Sequence, residues 1–130
     1  MSQLTARLVA FLSCLLGAFG VTLAAAASHI APGKSLESAA TIAMVTAPAV
    51  LAMLAMTRTG LIRPRLGLLC AMAAWAGAWL FSGGVALRAF APMSDWGLVH
   101  ALATIPMVAP IGGTLLIGAW VLAAMAALFK

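Results

Sequence analysis

The chain has 130 residues, of which 65% are hydrophobic and 7% charged, whereas soluble domains carry about 25% charged residues. Its mean hydropathy is +1.18, and each membrane crossing takes ~20 apolar residues, so four crossings with their loops use nearly the whole length and leave no room for a separate soluble domain. The formal charge of +5 comes from seven basic residues scattered between apolar stretches; nucleic-acid binders gather such residues in a patch or stripe, so nucleic acid is excluded as a partner and the charges read as topology signals and lipid-headgroup contacts.

The first apolar run, Leu8 to Ala27, follows Arg7 and reads as a transmembrane helix or as a secretory signal peptide, with Ala25 and Ala27 before Ser28 as a passable cleavage site. A polar loop with Pro32-Gly33 as its turn leads to the second run, for which the pattern predicts a helix over 38–56, opened by Glu37. A carboxylate there is favoured by the helix dipole and reaches headgroup water; the alternative is a proton or cation site at the mouth of the bundle, with Thr41 and Thr46 as its intramembrane polar companions. The loop from Thr57 to Arg65 holds Arg58, Arg63 and Arg65 around Gly60 and Pro64 and is the most basic segment of the chain. With Arg7 and Lys130 it places five basic residues on one side against Lys34 and Arg88 on the other, which orients both termini to the cytoplasm.

The third helix is predicted over 66–87 and contains Trp75 and Trp79. The fourth, over 99–129, carries Pro106 and Pro110, and a kink or break is expected near Pro110, packed against the rest of the bundle. The expected fold is therefore all-α, one integral membrane four-helix bundle. A faint similarity between 40–48 and 103–110, and between 16–21 and 80–85, is compatible with two repeated helical hairpins.

Few residues invite chemistry. Two carboxylates, two histidines and no tyrosine give no basis for general acid–base catalysis, and no catalytic residues are assigned. His29 and His100 fall on the same membrane side, which would permit ligation of one metal or haem, but histidine is ordinary at a membrane boundary, and no cofactor or metal is assigned. Cys14 and Cys70 lie within apolar runs and read as small buried hydrophobes. Gly17, Gly20, Gly83, Gly84, Gly112 and Gly113 give helix faces of little bulk, suited to tight packing or to docking against another membrane subunit. Trp96, beside Asp95 in the loop before the fourth helix, reads as an interface anchor or a partner contact.

Leu16-Gly17-Ala18-Phe19-Gly20, Leu36-Glu37-Ser38-Ala39-Ala40, Leu80-Phe81-Ser82-Gly83-Gly84, and Pro110-Ile111-Gly112-Gly113 followed by Ile117-Gly118-Ala119-Trp120 occur in an order that resembles the YgdD-like family of small bacterial inner-membrane proteins. That family has mitochondrial transmembrane relatives and no assigned activity. The resemblance covers nearly the whole chain and implies a four-helix fold and a bacterial inner-membrane location. The family typically carries a histidine after its first glycine motif and a Tyr-His-Ala-Leu element in its second helix. The corresponding positions here are Thr22 and Val45-Thr46-Ala47-Pro48, so an activity resting on those histidines is expected to be lost. The leading expectation is a structural or accessory subunit packed against a larger inner-membrane complex, such as a respiratory one, with membrane lipids and other membrane subunits as partners. The alternative is a component of a small-solute or ion transporter or channel.

Overall fold

The computed structural model describes residues 3–29, 33–105 and 107–128. Five α-helices follow one another: α1 (Gln3–Ala27), α2 (Gly33–Arg58), α3 (Pro64–Phe90), α4 (Gly97–Ala103) and α5 (Val108–Leu128), with a 3-10 turn at Ala91–Met93. The fold is all-α, and α1, α2, α3 and α5 are long and apolar enough to cross a membrane. This is a multi-pass membrane protein. Its long helices extend beyond the apolar cores read from the sequence, because polar residues at both ends, such as Gln3, Lys34, Arg58 and Arg88, continue helical geometry into the headgroup region.

Of the kink or break expected near Pro110, the structure has the break: the stretch read as one helix over 99–129 is divided into two at 104–107, and α5 runs on through Pro110 without interruption. Pro110 stands in the first turn of α5, where no backbone N–H needs an intrahelical partner and proline costs nothing. Pro106, the other proline of that stretch, lies outside the described residues, as do Pro32 and Lys130. Seven-residue α4 buries none of its residues. The Arg88 guanidinium, at the end of α3, donates to the carbonyl of Ile105 at 3.1 Å and ties down the break before α5. Conversely, α2 runs unbroken through Pro48, although proline has no N–H to give to the carbonyl of Met44.

Side-chain size is sorted as expected for association in lipid, where no hydrophobic gain separates inside from outside and close packing decides. Most of the buried apolar residues are alanine, whereas Leu4, Leu8, Phe11, Leu15, Val21, Ile117, Val121 and Met125 point outward. The core forms three layers. Val9, Val50, Met53, Leu54, Cys70, Ala71, Ala74, Ala119 and Ala123 fill the end near the α2–α3 turn. Leu16, Ala43, Ala47, Ala78 and Leu116 fill the middle. Leu23, Ala27, Leu36, Ala39, Ala40 and Ala86 fill the far end, which α5 does not reach. Cys70 is buried as expected, but Cys14 faces outward, and neither forms a disulfide.

Helix α3 is the hub. It lies against α2 and α5 along their lengths and touches α1 more lightly, whereas α1 and α5 have no extended contact. Two hydrogen bonds cross between helices at α3: Trp75 Nε1 donates to the carbonyl of Leu12 at 3.2 Å, and the buried Ser82 hydroxyl donates to the carbonyl of Ala39 at 2.8 Å. Phe19 stacks on Trp79 with ring centroids 4.8 Å apart, and Trp75 meets Trp79 edge-on at 6.4 Å. Trp79 Nε1 is buried without a hydrogen-bond partner among the described residues, so ring stacking and packing against the middle core layer hold that side chain. Replacing Ser82 with alanine is expected to destabilise the fold by about 0.6 kcal/mol, the average for an interhelical hydrogen bond in a membrane protein. Unfolding in mixed micelles would measure it, and a variant as stable as the parent would mean that the Ser82 bond contributes nothing.

Candidate functional site

At the turn between α2 and α3 the backbone of Gly60 takes φ +77°, a conformation that glycine adopts without strain. This tight reversal brings Arg58, Arg63 and Arg65 to the end of the bundle that also holds Arg7. Lys34, Glu37, Arg88 and Asp95 are at the opposite end.

The glycines singled out in the sequence separate into three kinds. A Cβ on Gly20 would lie 2.8 Å from Met44 Cγ and 3.0 Å from Ala43 Cβ, and one on Gly84 would lie 3.2 Å from Val108 Cγ1. A Cβ on Gly112 would run into the backbone of α3 at Gly77, Leu80 and Phe81. These three are internal packing positions. Gly17 and Gly113 are less crowded: an added Cβ would sit 3.4 Å from Ala47 Cβ and 3.7 Å from Phe81 Cδ2, respectively. Gly83 has open space beside it. Two glycines that the sequence reading did not single out complete the set. Gly77 faces Gly112 and Leu116, and Gly67 lies against Thr57. The paired glycines of each hairpin, Gly20 in the first and Gly84 in the second, occupy aligned positions of the faint internal repeat and both mark close crossings.

The polar candidates do not gather at one place. Glu37 and Thr41 are exposed on one face of α2, and the Thr41 hydroxyl donates to the carbonyl of Glu37 at 2.8 Å. Thr46 is only 2% exposed and points toward α5. Nine residues separate Glu37 from Thr46, which at about 100° per residue puts them on opposite sides of the helix. Trp96 is 74% exposed, just ahead of α4. His100 Nε2 lies 2.8 Å from the Ser94 carbonyl, folding this loop on itself. His29 is exposed near the end of α1.

The most distinctive surface feature is a crevice between α2 and α5. Because α5 packs against α3, it diverges from α2. One cavity of ≈ 300 Å³ there is lined by Ile42, Val45, Thr46, Phe81, Gly113, Leu116, Ile117 and Trp120. A second, of ≈ 310 Å³, is bounded by Ala49, Ala52, Met53, Met56 and, across from them, Trp120, Ala123, Ala124 and Ala127. The two cavities meet at Trp120 and follow one another along the α2–α5 crevice from Ile42 to Met56, or about 21 Å along the helix axis. The Thr46 hydroxyl opens onto it and is unspent. Unlike the hydroxyls of Ser13, Thr57 and Ser82, which bond to the carbonyls of Val9, Met53 and Ala39, the Thr46 hydroxyl has no hydrogen-bond partner among the described residues. No spacing rule could have found this crevice, since it depends on which helix α5 chooses to pack against.

No family profile, no characterised protein and no solved structure matches the chain.

Proposed function

We propose that the protein is a structural or accessory subunit of a bacterial inner membrane, receiving a transmembrane helix of a larger complex, such as a respiratory one, in the crevice between α2 and α5. The unspent Thr46 hydroxyl carries this reading. A hydroxyl that opens onto an apolar crevice without a partner costs free energy in a membrane, and a neighbouring helix bearing a polar side chain would remove that cost, whereas a lipid tail offers it neither donor nor acceptor. The alanines along both walls admit a helix backbone at short range, as small residues do in membrane interfaces. The order of motifs shared with the YgdD-like family favours the same membrane and adds no activity. Transport would need Glu37, Thr41 and Thr46 to line one cavity, and the first two face away from the third.

Extraction of the chain from its native membrane in a mild detergent or nanodiscs, followed by mass spectrometry, tests the proposal. A defined membrane complex is expected in stoichiometric amount, retained unchanged by Glu37→Gln and weakened roughly fivefold or more by Thr46→Val, which keeps the shape and removes the hydroxyl at about 1 kcal/mol. Recovery of the chain alone, together with loss of a solute flux in Glu37→Gln, would move the assignment to transport.

A further inference from the structure

At the arginine-rich end of the bundle, α1 and α2 separate around a cavity of ≈ 280 Å³ lined by Ala6, Arg7, Ala10, Leu51, Leu54, Ala55 and Arg58. From this notch we infer a binding site for an anionic glycerophospholipid, with its phosphate between Arg7 and Arg58 and an acyl chain against the apolar wall below them. It is independent of the accessory role.

Three observations carry the inference. The first is unanswered charge. Arg7, Arg58, Arg63 and Arg65 have no ion pair or side-chain hydrogen bond among the described residues, and both carboxylates of the chain, Glu37 and Asp95, belong to the opposite end. Among the described residues no carboxylate neutralises this end, and the counter-charge we infer for it is a lipid phosphate. The second is convergence. The notch takes one arginine from the start of α1 and one from the end of α2, two positions 51 residues apart in sequence that the antiparallel hairpin brings to a single cavity. Guanidinium groups bind phosphate oxygens in a planar, two-pronged fashion. The third is the composition of the rest of the lining. The other five residues are alanine or leucine and extend from Arg58 toward the membrane interior. A soluble anion has no use for that wall, whereas a lipid has a charged head and an apolar tail in the same order. Basic pockets between transmembrane helices are suited to such headgroups.

The test uses the full chain purified in detergent, titrated with phosphatidylglycerol and with phosphatidylcholine of the same acyl chains, and read by native mass spectrometry. The wild-type protein is expected to retain phosphatidylglycerol roughly thirtyfold more tightly, about fivefold for each arginine at the headgroup surface. Arg7→Gln with Arg58→Gln should bring the preference close to one, whereas Arg63→Gln with Arg65→Gln should change it less than about threefold. Ala10→Phe with Ala55→Phe, which fills the apolar wall and keeps both arginines, should also lose the bound lipid. Three results would overturn the inference: equal retention of the two lipids, an equal loss of preference in both arginine pairs, which would show a diffuse surface attraction, or displacement of phosphatidylglycerol by millimolar inorganic phosphate, which would show a site for a free anion.

Discussion

Gly112→Ala is expected to destabilise the bundle by about 2–3 kcal/mol, and Gly118→Ala, six residues further along the same helix, to be neutral or slightly stabilising. The chemical change is identical; the surroundings are not. An added Cβ at Gly112 would lie 2.7 Å from the carbonyl oxygen of Gly77 and 2.9 Å from the carbonyl carbon of Leu80, and it would press on the amide nitrogen of Phe81. All three are backbone atoms of α3, so no rotamer change relieves the overlap, and α5 must move away as a whole. Since α5 is held chiefly by α3, that movement loosens Leu116, Ala119 and Ala123 from the core at once. Gly118 has nothing within 4 Å of a new Cβ, and there alanine only gains the helix preference that glycine lacks. Equilibrium unfolding of both variants in mixed micelles, followed by circular dichroism, measures the difference. Equal stabilities would show that the α3–α5 crossing is not set by Gly112.

The contrast shows which parts of this fold were legible in the residues. Apolar runs such as Leu8 to Ala27 announce membrane helices because burial in lipid depends on composition over ~20 residues, a property that sequence states directly. The identity of a helix's neighbour depends on shape, and there the sequence is mute. Gly77 and Gly118 look alike as letters, yet one lies at a backbone crossing and the other faces outward. Pro110 suggested a kink or break because proline usually removes a hydrogen bond. The break before it, at 104–107, turned the same residue into a harmless member of a first turn. At the candidate site, Thr46 was visible as an intramembrane threonine, but its separation from Glu37 and its unspent hydroxyl follow from the helix phase and from the divergence of α5. Trp75 offers the same lesson: its donor was evident, and its acceptor, the Leu12 carbonyl 63 positions away, was not.

Filling the crevice is expected to detach the protein from its complex while leaving its own fold intact. Ala52 and Ala124 line opposite walls of the crevice and are both exposed, so phenylalanine at both positions occupies the space a visiting helix needs without entering the core. The fold should change by no more than about 0.5 kcal/mol, as for other surface positions. Overpacking a contact costs about 1–3 kcal/mol, so retention of the partner should fall roughly 5- to 150-fold. Ala18→Phe provides the control. It adds the same bulk at an exposed position of α1, a helix that contributes nothing to the crevice, and it should leave the complex in place. The measurement is the stoichiometry of co-purifying subunits in nanodiscs, with circular dichroism to verify helical content. Should the Ala52/Ala124 variant keep its partner while Ala18→Phe loses it, docking would lie on the face of α1, and Thr46 would need no partner from outside. If neither variant has any effect, no helix occupies the crevice, and its alanines serve only to leave room for lipid.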